Sequence, residues 1–234
     1  MSTHIIIIFI ILYIPATSLD LIRITNNKKI LTSPHNTSIT DTGRIVGGYK
    51  ASIEDHPYQA FFDVYRKGNK SRSCGAFIID KYYVLTAAHC VPNIEPSMVI
   101  LRAGNALKTN GTIIPVRKVI SHPEYNDPKF DKDVAVIRTA EPIEFTDVIQ
   151  PIKLPPKGRK LVPDSKVVVT GWGKTKYTAS TTPKRLRAVE IPVVDHDRCS
   201  QVYDMLTANE WCGGNFYLVS HGHCRIFKYP FDDE

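Results

Sequence analysis

The sequence predicts an all-β protein, folded as a barrel or a sandwich, on three observations. Short runs rich in β-branched and aromatic residues recur from Ile45 onward. Pro, Gly, Asn and Asp punctuate them. No stretch carries apolar residues at helical spacing for long enough to make an amphipathic helix. Many short strands with turn signals between them bury their apolar faces by closing or stacking, and no repeat of fixed period is visible.

The runs follow one another along the chain. "YQAFFDVY" is aromatic and β-branched and ends where Gly68-Asn69 signals a turn. "AFIID" and "YYVLTAA" are apolar runs meeting near Asp80, and "MVILRAG" stops at a glycine. "TIIPVRKVI" and "DVAVIR" are Val- and Ile-rich. "KVVVTGWG" and "LRAVEIPVV" complete the set, separated by a Thr-, Lys- and Pro-containing connection.

At 234 residues, with 43% hydrophobic and 23% charged residues, the chain can bury a real core and is not expected to be disordered. Residues 5–14 are unbroken apolar, too short to span a bilayer but the length of a signal-peptide core. The small residues Ala16-Thr17-Ser18 then place a signal peptide at 1–18, a membrane anchor being the alternative. Residues 19–44 are polar and without cysteine, a leader with no fold of its own. Secretion to the extracellular space is the expectation, with no membrane and no nucleic acid as partner. The five cysteines should then form disulfides rather than hold a metal, and no CxxC contradicts this. The sequons at Asn36, Asn69 and Asn110 are glycosylation candidates in the same compartment. Net charge is +7. Ten Lys/Arg between Lys153 and Arg187 face one acid, Asp164; they read as solvated loops, a module holding anionic surfaces being the alternative.

Three short stretches carry candidate chemistry. "TGRIVGG" joins the leader to the β-rich body, and Arg44 makes the Arg44–Ile45 bond a site for a cut after a basic residue. The new α-ammonium group on Ile45 could be buried only against a carboxylate. In "YYVLTAAHC" an apolar strand runs into Ala87 and Ala88 and then His89 and Cys90, a position suited to a general base. Cys74 lies 16 residues earlier, so a disulfide to Cys90 would close a short loop beside His89. In "FDKDVAVIR" the acids Asp127, Asp131 and Asp133 compete as the partner that would fix the imidazole tautomer; only Asp133 abuts the Val134–Ile137 run.

Together "RIVGG", "LTAAHC", "DKDVAVI", "IQPIKLP" and "VTGWG", in that order, resemble the chymotrypsin-like serine proteases over Ile45 to Cys224. The resemblance implies a trypsin-like serine protease domain at 45–224, folded as two antiparallel six-stranded β-barrels with the active site between them. It implies His89 as general base, Asp133 as its orienting acid and Arg44–Ile45 as the activation bond of a zymogen, making 19–44 an activation propeptide. It implies disulfides Cys74–Cys90 and Cys199–Cys212, polypeptide substrates, protease inhibitors as partners, an activating protease acting at Arg44, and no cofactor.

The sequence departs from that family after Cys224. Where the family has a stretch close to Gly-Asp-Ser-Gly-Gly-Pro, this sequence reads "CRIFKYPFDDE". The serine nucleophile, the oxyanion-hole amides and the carboxylate that would receive Ile45 are expected to be missing, so the second barrel is expected to be incomplete and prone to aggregation. Cys224 is expected to be unpaired and residues 225–234 to be a tail foreign to the fold. Gly222 occupies the position where trypsins carry a pocket aspartate, so an intact relative would prefer apolar or aromatic side chains. The function implied is a secreted serine endopeptidase, with this polypeptide itself inactive; the alternative is a non-catalytic homologue acting as a binding or decoy protein.

Overall fold

A computed structural model describes residues 48–66, 68–125, 131–175, 179–201, 206–214 and 225–228, with Ser71 and 225–228 described by backbone alone. Twelve strands are seen: β1 Tyr49–Lys50, β2 Gln59–Arg66, β3 Asn69–Ile78, β4 Tyr83–Thr86, β5 Val99–Ala103, β6 Thr112–Ile114, β7 Val116–Ser121, β8 Ala135–Thr139, β9 Lys166–Gly171, β10 Arg187–Val194, β11 Glu210–Gly213 and β12 Arg225–Lys228. The one α-helix among the described residues is short, α1 His196–Ser200, capped by the Asp195 carboxylate, which accepts from the Arg198 amide at 3.1 Å.

Seven strands form one antiparallel sheet in the order β6-β5-β2-β3-β4-β8-β7. Its two end strands are consecutive in sequence and separated only by Pro115, so the sheet curls almost shut at that corner. Proline has no N–H to give to a ladder, and its carbonyl instead accepts from the Ala140 amide at 2.8 Å. This is why the run "TIIPVRKVI" yields two strands and the barrel expected to have six has seven. Residues 60, 62 and 64 of β2 point into the barrel core with Ile78, Val84, Leu101 and Ile137. Phe61 on the opposite face packs in a second cluster with Trp172, Leu186 and Ala188. Burial on both faces explains a strand that reads as apolar without alternation.

The other sheet pairs β10 with β9, β1 and β11, and β11 with β12. Val167, Val169, Val193 and Trp211 form its core. The sequence reading expects residues 225–234 to stand outside the fold. Residues 225–228 instead lie antiparallel to β11, from Gly213↔Arg225 to Glu210↔Lys228. The Ile226-Phe227 pair supplies the β-prone residues for such pairing, and an uncovered edge of β11 is a ready acceptor of strand hydrogen bonds.

The two sheets meet along a seam. The Thr170 hydroxyl donates to Gln59 Oε1 at 2.6 Å, the Trp172 indole donates to the Ala106 carbonyl at 2.9 Å, and the Phe61 and Trp172 rings meet edge to face at 5.3 Å. Beside it burial pushes the Tyr58 phenol up to about 12, so it remains a protonated partner for His56 at 3.0 Å.

Gly111 tests the corner of the barrel. A Cβ there would sit 2.5 Å from the Ala103 carbonyl oxygen, a backbone atom held in the β5–β6 ladder. Gly111→Ala is expected to destabilise the protein by about 1–3 kcal/mol, the usual cost of forcing extra atoms into packed surroundings. An unchanged chemical-denaturation midpoint would contradict it.

Candidate active site

The β3–β4 hairpin delivers His89. The Thr86 hydroxyl at the end of β4 donates to the Gly75 carbonyl at 3.0 Å, holding the strand end against β3. Ala87 and Ala88 are fully buried, and side chains this small let the chain turn tightly into a single 3₁₀ turn, Ala88–Cys90. A disulfide from Cys90 to Cys74 on β3 pins that turn. The Arg72 guanidinium donates to the His89 carbonyl, so the backbone of the turn is held from both ends.

Asp133 meets His89 from the other side. Its Oδ1 accepts from the His89 backbone N–H at 2.8 Å, and its Oδ2 lies 2.5 Å from Nδ1 of the ring. Both residues are at most 9% exposed. A carboxylate only accepts, so the ring proton sits on Nδ1 and the basic lone pair on Nε2. Asp133 is aimed by a tight turn in which Lys132 adopts a left-handed φ of 50° and the Val134 amide donates to the Lys132 carbonyl at 2.7 Å.

The competition among the three acids resolves by position. Asp133 takes His89. Asp131 accepts from the Thr207 hydroxyl at 3.0 Å and from the Asn209 amide at 3.2 Å, tying the loop before β8 to the approach of β11. Asp127 lies outside the described residues.

Cys199–Cys212 links α1 to β11 and forms the second disulfide. Asn69 opens β3 and Asn110 sits in a turn before β6, both exposed. Arg44, Ile45, Asn36, Gly222 and Cys224 lie outside the described residues. Donor atoms of Cys74, His89 and Cys90 approach within 4.8 Å of one another. Both sulfurs are consumed by the disulfide, however, and only a thiolate is a metal ligand. In the basic stretch, Lys166 pairs with Glu190 at 2.8 Å with both side chains exposed, and Arg187 donates to the Gly48 carbonyl. These cations are solvated or structurally engaged.

Sequence reasoning missed Arg72. Its only signal is a long cation two residues before Cys74, on the strand that the disulfide ties to the histidine turn. It also missed that Asp133 would hold the His89 backbone as well as its ring, since no pattern of residue types encodes a backbone contact.

The trypsin family model matches residues 45–225. The chain belongs to the trypsin family. Trypsin Blo t 3 of Blomia tropicalis is 35% identical over 190 residues, covering 78% of this chain and 69% of that protein. Duodenase-1 of Bos taurus is 31% identical, with 75% and 69% covered, and the trypsin of Phaedon cochleariae is 31% identical, with 73% and 66% covered. The chain thus spans about two thirds of the length of these relatives. Among solved structures, the scabies mite inactivated protease paralogue S-D1 superposes with a TM-score of 0.69 at 28% identity, covering 75% of this chain and 76% of that one. GrC superposes at 0.66 with 30% identity, covering 73% and 76%. These neighbours carry the trypsin-like two-barrel fold, and the nearly closed sheet here is one of its barrels.

Proposed function

We propose that this trypsin-family chain is the base-bearing scaffold of a secreted serine endopeptidase zymogen. His89 is the general base and Asp133 orients it; Arg44–Ile45 is cut by an activating protease, polypeptides are the substrates and protein inhibitors the partners. The observation that carries the reading is the double contact of Asp133 on His89, at 2.8 Å to the backbone and 2.5 Å to the ring. A carboxylate placed for charge alone needs no backbone contact; one placed to fix ring orientation and tautomer benefits from both. The three sequons and the apolar preference inferred from Gly222 belong to the same proposal.

The 234 residues contain no Gly-Asp-Ser-Gly stretch, so these residues alone supply a base without its nucleophile. A second reading, a non-catalytic homologue that binds or decoys, is favoured by the likeness to a protein described as an inactivated protease paralogue.

A chimera separates the two. Residues after Cys224 are replaced by the corresponding segment of the Blomia tropicalis trypsin, and the product is cut after Arg44. Fluorescein-casein hydrolysis by the chimera, with none by the 234-residue chain, is the expected result. A chimera that melts cooperatively yet leaves casein intact would defeat the endopeptidase reading and favour the second.

A further inference from the structure

Beside the His89 turn lies a cavity of about 390 Å³, lined by Val64, Arg66, Arg72, Pro92, Asn93 and Ile94. Two guanidiniums and the side chain of Asn93 stand beside Val64, Pro92 and Ile94, and among the described residues no carboxylate lines the cavity. Both arginines are fixed by backbone carbonyls. Arg72 Nη1 donates to the His89 carbonyl, and Arg66 Nη2 donates to the Pro92 carbonyl at 2.9 Å. One N–H of the five on each fork is occupied in this way. The far rim is the Pro92-Asn93 turn, where Asn93 takes a left-handed φ of 51°. The disulfide Cys74–Cys90 ties together the strand that carries Arg72 and the turn that leads into Pro92, so the site is held on rigid elements.

We infer that this cavity is a docking site for an acidic side chain of a polypeptide seated beside His89. The volume falls within the range of about 300–1,000 Å³ usual for ligand sites. A guanidinium fork matches a carboxylate in a bidentate manner, and two positive charges with no carboxylate among the described lining residues favour an anion over an apolar or cationic occupant. The apolar part of the lining, Val64, Pro92 and Ile94, suits the methylene stem of a glutamate. The arginines are anchored before any ligand arrives, so little side-chain freedom remains to be lost on binding. The inference rests on the reading that polypeptides approach the His89–Asp133 pair, and it adds what part of the polypeptide is read there.

The test uses the full 234-residue chain, titrated by NMR with acetyl-Ala-Ala-Glu-Ala-Ala-amide and with the glutamine counterpart. The Arg66 and Arg72 side-chain N–H signals are expected to shift saturably with the glutamate peptide, which binds about tenfold more tightly than the glutamine peptide, the smallest preference expected of a charge-assisted pair. Arg66→Gln removes that preference, as does Arg72→Gln. Arg72→Lys retains part of it, which guards against a disturbed His89 turn, and Lys157→Gln in the basic loop leaves it intact. Equal binding of the two peptides overturns the inference, and so does a preference that survives both arginine-to-glutamine changes. Failure of the functional reading is separately visible: an inactive chimera with the glutamate preference intact leaves the docking site standing, and an active chimera without the preference removes the docking site alone.

Discussion

In the serine-bearing chimera, Asp133→Asn is expected to lower kcat about 10⁴-fold with little change in KM, the size of loss that the same substitution causes in this triad elsewhere. The sign follows from the contacts. Oδ1 of the present carboxylate accepts from the His89 backbone, and an asparagine carbonyl can do the same, so the turn keeps its anchor. The amide nitrogen then faces Nδ1 where Oδ2 now stands. It donates rather than accepts, so the ring must hold its lone pair on Nδ1 and carry its proton on Nε2. A ring protonated on Nε2 cannot take a proton there, and catalysis by the general base is lost while substrate binding is untouched. Asp133→Ala behaves differently. It leaves the buried His89 N–H without its acceptor and is expected to cost about 1–3 kcal/mol of stability in addition. An asparagine variant that retains more than a tenth of the activity would remove Asp133 from the role assigned to it.

How much of this was legible in advance depends on the range of the interaction. His89 and its partner could be read because each is placed by its own strand end, "YYVLTAAHC" and "DKDVAVI", and strand ends are local signals. Asp133 stood out because it alone abuts the Val134–Ile137 run, whereas the role of Asp131 was not legible, because its partners Thr207 and Asn209 lie more than seventy residues away. Arg72 was invisible for a related reason: its target is a carbonyl, which every residue has. The division of "TIIPVRKVI" at Pro115 was encoded, since proline lacks a ladder donor, but whether it would end the sheet or bend it depended on Ala140 arriving to meet the carbonyl. Residues 225–228 were misread for the opposite reason. Unlikeness to a family is a statement about ancestry, whereas pairing on β11 requires only β-prone residues and an open edge.

The rigidity of the site rests on the barrel core, and Phe62 is where that dependence is greatest. Phe62 is fully buried, lies opposite Cys74 in the β2–β3 register and opposite Leu101 in the β2–β5 register, and contributes one of the largest side chains of the core. Phe62→Ala is expected to cost about 3–5 kcal/mol, because the neighbouring strands are locked by ladders on both sides and cannot collapse into the space left. For a domain of this size that lowers Tm by roughly 6–20 °C. Phe61→Ala, on the other face of the same strand, should cost less. Its ring meets Trp172 and lies beneath the Lys70 and Lys108 ammonium groups, and those long side chains can settle into the vacated space. The comparison bears on function through Cys74. A void beneath it loosens the strand that carries both the disulfide to Cys90 and Arg72, so Phe62→Ala is expected to weaken the glutamate-peptide preference as well, while Phe61→Ala leaves it in place. Equal melting temperatures for the two variants would show that the strand's two faces are packed alike, contrary to the asymmetry described here.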